Sequence, residues 1–113
     1  MHELGIATDI MGVVKKVAED NNARRVGEVV VEIGLLAGVE RESLEFCYDV
    51  ITRGTRLEGS HLKVVEIKPR ARCKQCEKEY EVRMDNFHCP HCESSRFDLL
   101  IGSDINLKEV EVE

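Results

Sequence analysis

No run of basic residues in this chain is longer than two. A protein that grips phosphate backbones needs clustered Lys and Arg to displace counterions. Acidic residues instead outnumber basic ones, 22 to 16, and the formal net charge is −6. Nucleic acid is therefore not an expected partner. Long apolar runs are also missing, and none approaches the ~20 residues that a membrane-spanning helix needs. No basic start leads into an apolar segment of the kind that marks a secretory signal. Internal repeats and low-complexity segments are absent. Tryptophan is absent too, and aromatics make up only 4% of the chain. Tyr80, Phe87 and Phe97 fall among the cysteines, where they read as packing residues and not as stacking platforms for bases. No nucleophile–base pairing is visible, so an enzyme is not expected. The expectation is a cytoplasmic protein with no membrane and no nucleic acid among its partners.

Within 113 residues, the hydrophobic fraction is 42% and the charged fraction 34%. That is apolar enough for a core and too apolar for a disordered chain. A core of this size is modest, so a metal staple contributes usefully. In a reducing compartment, five cysteines point to metal binding or catalysis before disulfides.

Residues Leu4 to Asp20 read as an amphipathic helix, with Ile6, Ile10, Val13, Val14 and Val17 on one face. "EDNNARR" ends it, because Asn and Asp favour turns. Arg25 to Leu35 reads as a strand, with Val29, Val31, Ile33 and Leu35 alternating against Glu28, Val30 and Glu32. "ERESLEFCYDVITRG" reads as a second helix, on which Leu44, Cys47, Tyr48 and Ile51 share a face. "HLKVVEIK" is a second strand, opened by an exposed His61. The final "DINLKEVEVE" is strand-like, but Ile105 and Leu107 sit in one phase and Val110 and Val112 in the other. A bulge or a register change near Lys108–Glu109 would reconcile them. The fold class expected is α+β: two helices packed on a small three-stranded mixed sheet, with an inserted four-cysteine, zinc-ribbon-like module. The domains expected are 1–68 plus 103–113, and 69–102.

The strongest chemical signal is "CKQC", twelve intervening residues, then "CPHC". Two residues between cysteines let both thiolates reach one ion while the intervening amides point at the sulfurs. Cys73, Cys76, Cys89 and Cys92 together supply four soft ligands, the closed set that structural Zn(II) prefers. Such a site has no open position for catalysis. The compartment disfavours two disulfides. A rubredoxin-like iron carrier uses similar spacing but usually stands alone. A thioredoxin-like pair fits poorly, because neither pair opens a helix after a strand. His88 and His91 read as exposed knuckle residues, with replacement of a cysteine by one of them as the alternative. Cys47 reads as a buried core thiol.

The chain opens "MHELG". Methionine is normally removed only before a small residue, so the expected mature start is Met1-His2-Glu3. The Met1 amine, the His2 amide and the His2 imidazole then close two fused chelate rings in one plane. A fourth ligand from Glu3 or another side chain would complete a square, which suits Ni(II) or Cu(II) and not Zn(II). By itself an N-terminal histidine is a weak signal. Its company is more specific: "MHE", then "VVVEIGLLAGVERESLEFCYD", the two knuckles, and "LLIGSDINLKEVEVE" at the end.

That combination resembles the HypA/HybF family of nickel-insertion accessory proteins for NiFe-hydrogenase maturation, and the resemblance covers the whole chain. Asp104 stands where the family pattern has Glu. The resemblance implies a nickel metallochaperone with His2 as required nickel ligand, Met1 contributing its amine, and Glu3 its amide or a supporting carboxylate. It implies structural zinc on Cys73, Cys76, Cys89 and Cys92. The implied partners are the GTPase HypB, the hydrogenase large-subunit precursor and, in some organisms, urease accessory proteins, with the protein itself a monomer or homodimer. Glu40 is a weaker candidate to support the nickel site or a partner surface. The competing readings are a zinc-ribbon protein-interaction module and an iron-thiolate electron carrier.

Overall fold

The computed structural model describes residues 3–113 and divides them between two compact units. The first unit holds Met1–Glu32, Val39–Val65 and Asn106–Glu113, and the second Ile33–Gly38 and Glu66–Ile105. The short segment 33–38 thus groups with the cysteine-bearing residues, although it follows a strand of the first unit.

Helix α1 spans Glu3–Asp20 and helix α2 spans Arg41–Thr52, and the two pack on each other. Along α1 the buried residues are Glu3, Ala7, Ile10, Val14 and Ala18, a stripe spaced four, three, four and four residues apart. This corrects the expected face in one respect. Val13 is 51% exposed, and alanines, not valines, fill much of the stripe. Small side chains at Ala7 and Ala18 allow a close approach, and Val13, one residue off the stripe, is rotated by ~100° toward solvent. On α2, Leu44, Tyr48 and Thr52 are buried, while Cys47 and Ile51 are only partly so. Burial raises the Tyr48 hydroxyl above its usual pKa, and its hydrogen bond to Ser60 Oγ at 2.9 Å satisfies it there.

Strands β1 (Val26–Gly34), β2 (His61–Ile67) and β6 (Ile105–Val112) form one sheet in the order β2-β1-β6. In β1, Val29, Val31 and Ile33 are buried in alternation, as the period-2 pattern requires. His61 opens β2 and is exposed. β6 runs antiparallel to β1. Arg25 and Glu113 exchange backbone bonds at one end, and Gly34 N–H donates to the Asp104 carbonyl at the other. The same number of residues separates these points on both strands, so no residue is inserted and the expected bulge is not there. The opposed apolar phases need no such device, because β6 is an edge strand on which no side chain is fully buried.

The second unit has its own antiparallel sheet, β4-β3-β5, built from β3 (Arg70–Cys73), β4 (Glu79–Glu81) and β5 (Phe97–Ile101). Its small core is Ala71, Cys73, Tyr80, Val82 and Cys89, with Cys76, Cys92 and Phe97 packed against it. Tyr80 and Phe97 meet edge-to-face with centroids 6.4 Å apart. Four of the eight residues in or against this core are cysteines.

Candidate metal centre

Each knuckle is a tight turn on the same plan. Cys73 N–H donates to the Lys78 carbonyl, and Glu77 N–H donates back to the Cys73 carbonyl. Cys89 N–H likewise donates to Ser94, and Glu93 N–H to Cys89. The fifth residue of each turn is left-handed, with φ of 64° at both Glu77 and Glu93. Sulfur-directed amides complete the turns. Gln75 and Cys76 N–H both donate to Cys73 Sγ, and His91 N–H to Cys89 Sγ, each at 3.4 Å. These donors stabilise thiolate over thiol.

The two turns bring four sulfurs together. Cys73 and Cys92 Sγ lie 3.5 Å apart, Cys76 and Cys89 Sγ 3.7 Å, and all four are within 4.8 Å of one another. A tetrahedron with Zn–S bonds of about 2.3 Å has edges of about 3.8 Å. The residues therefore fit Zn(II) with little adjustment. The thiols are not equivalent. The Cys76 and Gln75 amides and the adjacent thiols outweigh burial at Cys73 and lower it to about 6. At Cys92 the Ser94 amide lowers the pKa, but burial and the hydrogen-bonded Cys73, Cys76 and Cys89 outweigh it and push the thiol up to about 12. His88 and His91 are exposed and outside the cluster, and Cys47 is a free, half-buried thiol.

The left-handed glutamates carry no periodicity or ligand chemistry, and only the repeated position after each C-x-x-C pair hints at them. Left-handed backbone costs an ordinary residue about 1–2 kcal/mol, against about 0.5–1 kcal/mol of extra chain entropy lost by glycine. Glu77→Gly is expected to leave thermal stability of the zinc-loaded protein within about 1 kcal/mol of native. Glu77→Val, β-branched at a positive φ, is expected to lower it measurably in the same melting experiment.

Met1 and His2 lie outside the described residues. Glu3 begins α1 and is only 6% exposed. Its Oε2 accepts a hydrogen bond from Glu40 N–H at 3.2 Å. Glu40 is the N-cap residue of α2 and makes no side-chain cap of its own. The Glu3 carboxylate thus reaches across to the positive end of the second helix and ties the start of α1 to it. The charge on Glu40 is exposed, and it is its amide that matters here. The sequence hint was the acid at Glu3 itself, but nothing in it revealed the partner. Removing a buried acceptor strands its donor, at about 1–3 kcal/mol. Glu3→Ala is expected to lower the stability of nickel-free protein by that amount in denaturant titrations, and Glu3→Gln, which keeps an acceptor oxygen, by less.

Comparisons with known proteins bear on both ends of the chain. Residues 1–112 match the family model described as HypA: hydrogenase/urease nickel incorporation, metallochaperone. The chain is 41% identical to the hydrogenase maturation factor HypA of Azotobacter chroococcum mcd 1, over the whole of both proteins. It is 39% identical to the HypA of Trichodesmium erythraeum (strain IMS101), over all of this chain and 96% of that one. The solution structure of the Ni metallochaperone HypA from Helicobacter pylori has the same fold, with a TM-score of 0.70 at 21% identity over 99% of this chain and 97% of that one. The chain belongs to the HypA family of nickel-incorporation metallochaperones, which are maturation factors and not enzymes.

Proposed function

We propose that this protein carries Ni(II) on its first three residues and delivers it to the NiFe-hydrogenase large-subunit precursor, working alongside the GTPase HypB. In organisms that have urease, the same delivery would serve urease through its accessory proteins. The Met1 amine, the His2 amide and the His2 imidazole supply the nickel nitrogens, and Glu3 supplies its amide or a supporting carboxylate. Zn(II) stays on Cys73, Cys76, Cys89 and Cys92 as a fold-maintaining ion.

The observation that carries this reading is the closed thiolate cluster. Four sulfurs that saturate a tetrahedral ion leave no position for a second metal or for cargo exchange. The cargo therefore needs a different ligand set, and a set of nitrogens separates nickel from zinc by chemistry as well as by place. A surface chelate of backbone and imidazole nitrogens also releases its metal by ligand exchange, as a carrier must. Glu3 adds support, because its carboxylate is bonded to Glu40 N–H and holds the first residue of α1 in place. Among the described residues no helix is long and apolar enough to cross a membrane, and we place the protein in the cytoplasm.

The test is a nickel titration of the native protein, of His2→Ala, and of a version with residues added before Met1. Both changes are expected to abolish the tight nickel site while zinc stays bound. Unchanged nickel affinity in the extended version would refute the terminal-amine chelate.

A further inference from the structure

The four clustered sulfurs are not equally accessible. Cys73 and Cys89, the first cysteine of each knuckle, are each 1% exposed, whereas Cys76 and Cys92, the second of each, are half-buried. Backbone amides hold the buried pair in place: Gln75 and Cys76 N–H donate to Cys73 Sγ, and His91 N–H to Cys89 Sγ. Each accessible sulfur lies against the buried sulfur of the opposite knuckle. Cys92 Sγ is 3.5 Å from that of Cys73, and Cys76 Sγ is 3.7 Å from that of Cys89. An outer sulfur is thus set beside an inner one twice, each time across the gap between the two turns.

A closed tetrahedral set offers no position to a further ligand, but a thiolate is a nucleophile as well as a metal ligand. Oxidation follows thiolate character and exposure, so a small peroxide meets Cys76 and Cys92 first. Resting on the zinc reading above, we infer that the cluster is also an oxidant-responsive site, at which Cys76 and Cys92 react with a peroxide and are resolved by Cys89 and Cys73 as cross-knuckle disulfides. The outer thiolate attacks one oxygen of hydrogen peroxide. The O–O bond breaks, hydroxide leaves and the sulfur becomes a sulfenic acid. The inner thiolate of the other knuckle attacks that sulfur, the S–O bond breaks and a second hydroxide leaves. Each disulfide takes two electrons from its two sulfurs and reduces one peroxide. Two peroxides consume all four thiolates, and zinc is released as the free ion.

The pairing decides what the oxidised unit becomes. Disulfides within each C-x-x-C would close two short loops and leave the turns unlinked. Cys73–Cys92 and Cys76–Cys89 bonds join one turn to the other, as zinc does, and restrain much longer loops. The small core of Ala71, Tyr80, Val82 and Phe97 then keeps a covalent frame without the metal. The oxidised form is a folded, zinc-free state that a thiol reductant and zinc reverse.

The test uses the zinc-loaded full chain, its zinc content measured beforehand, treated with two equivalents of hydrogen peroxide. Zinc release is read with a metallochromic dye and the disulfides by mass spectrometry of tryptic peptides. Trypsin cuts after Arg72, Lys74, Lys78, Arg83 and Arg96, which puts Cys73 and Cys76 on separate peptides and Cys89 and Cys92 together on a third. The product is expected as one species holding all three peptides, with fragmentation joining Cys73 to Cys92 and Cys76 to Cys89. Dimedone added with the peroxide is expected to label Cys76 and Cys92. Amide exchange in β3 and β5 is expected to stay protected after the zinc is lost. Cys47→Ser is expected to behave as the native chain does, because Cys47 stands outside the cluster. Disulfides within the C-x-x-C pairs, dimedone on Cys73 or Cys89, or zinc retained in excess peroxide would overturn the proposal. A chain that holds no zinc before oxidation would overturn the zinc reading, and the disulfide map alone would then decide the pairing.

Discussion

Cys89→Ser is expected to strip zinc from the protein and unfold the cysteine-bearing unit while the helical unit stays folded. The argument is one of magnitudes. Apart from the thiols, the core of the second unit consists of little more than Ala71, Tyr80, Val82 and Phe97. A core that small supplies less than the ~3–5 kcal/mol typical of small single-core domains. Structural zinc sites contribute roughly 10–16 kcal/mol of apparent binding free energy at neutral pH. The metal therefore decides whether the unit folds, and one missing thiolate removes most of its hold. The buried residues of the first unit, among them Val14, Val29, Leu44, Tyr48 and Leu62, include none of the four clustered cysteines. Zinc content by mass spectrometry and residue-resolved hydrogen exchange check both halves of the prediction. Cys47→Ser is the control, because Cys47 lies outside the cluster and should leave zinc content unchanged.

The same site gives a pH dependence with a definite sign. Zinc binds thiolates, so binding must displace whatever protons the metal-free thiols hold. Cys92 holds its proton up to about pH 12, so zinc affinity is expected to rise with pH across neutrality. Cys73 gains a proton as pH falls through about 6, so below that point the loss of zinc steepens. A chelator competition run from pH 8 to pH 5 reads this directly.

The second large effect comes from two glycines that contribute no chemistry. Gly102 has φ of 115°, a conformation that side chains rarely adopt, and a Cβ there would collide with the Pro69 backbone. A Cβ on Gly34 would in turn collide with the backbone of Gly102. The close approach is held by Leu36 N–H on the Gly102 carbonyl and Gly34 N–H on the Asp104 carbonyl, both at 2.9 Å. The obstacles are backbone atoms, which cannot rotate aside. Overpacking costs about 1–3 kcal/mol and the left-handed strain about 1–2 more. Gly102→Val is expected to lower stability by about 3 kcal/mol or more, and Gly34→Ala by about 2, as read by denaturant unfolding. Gly5→Ala, on the open face of α1 where a Cβ meets nothing, is expected to raise it by about 0.5–1 kcal/mol.

These cases show which parts of the molecule could be read from its residues. The gathering of the four cysteine sulfurs was legible, since C-x-x-C spacing brings both thiols of each pair to one place. β1 was legible because Val29, Val31 and Ile33 are buried in strict alternation, as a period-2 pattern announces. The stripe on α1 was legible in period but misplaced in part, since alanine is a weak hydrophobic signal and Val13 a strong one. The phase change in β6 invited a bulge, but phase carries little information on an edge strand whose side chains are mostly solvated. The Glu3–Glu40 bond and the Gly34–Gly102–Pro69 contact were hidden for a common reason. Each joins residues more than thirty positions apart, and neither end carries a mark of its partner. The left-handed Glu77 and Glu93 were hidden because the residue type that usually signals such a turn, glycine, is missing from both.

The central claim is that one small protein keeps two metals on two ligand sets of different chemistry. X-ray absorption at the zinc and nickel edges of the protein loaded with one equivalent of each metal tests it in a single sample. The account predicts zinc surrounded by four sulfurs at about 2.3 Å, and nickel surrounded only by nitrogen and oxygen, with no sulfur in its shell. Sulfur bound to nickel, or nitrogen replacing sulfur at zinc once nickel is added, would contradict it.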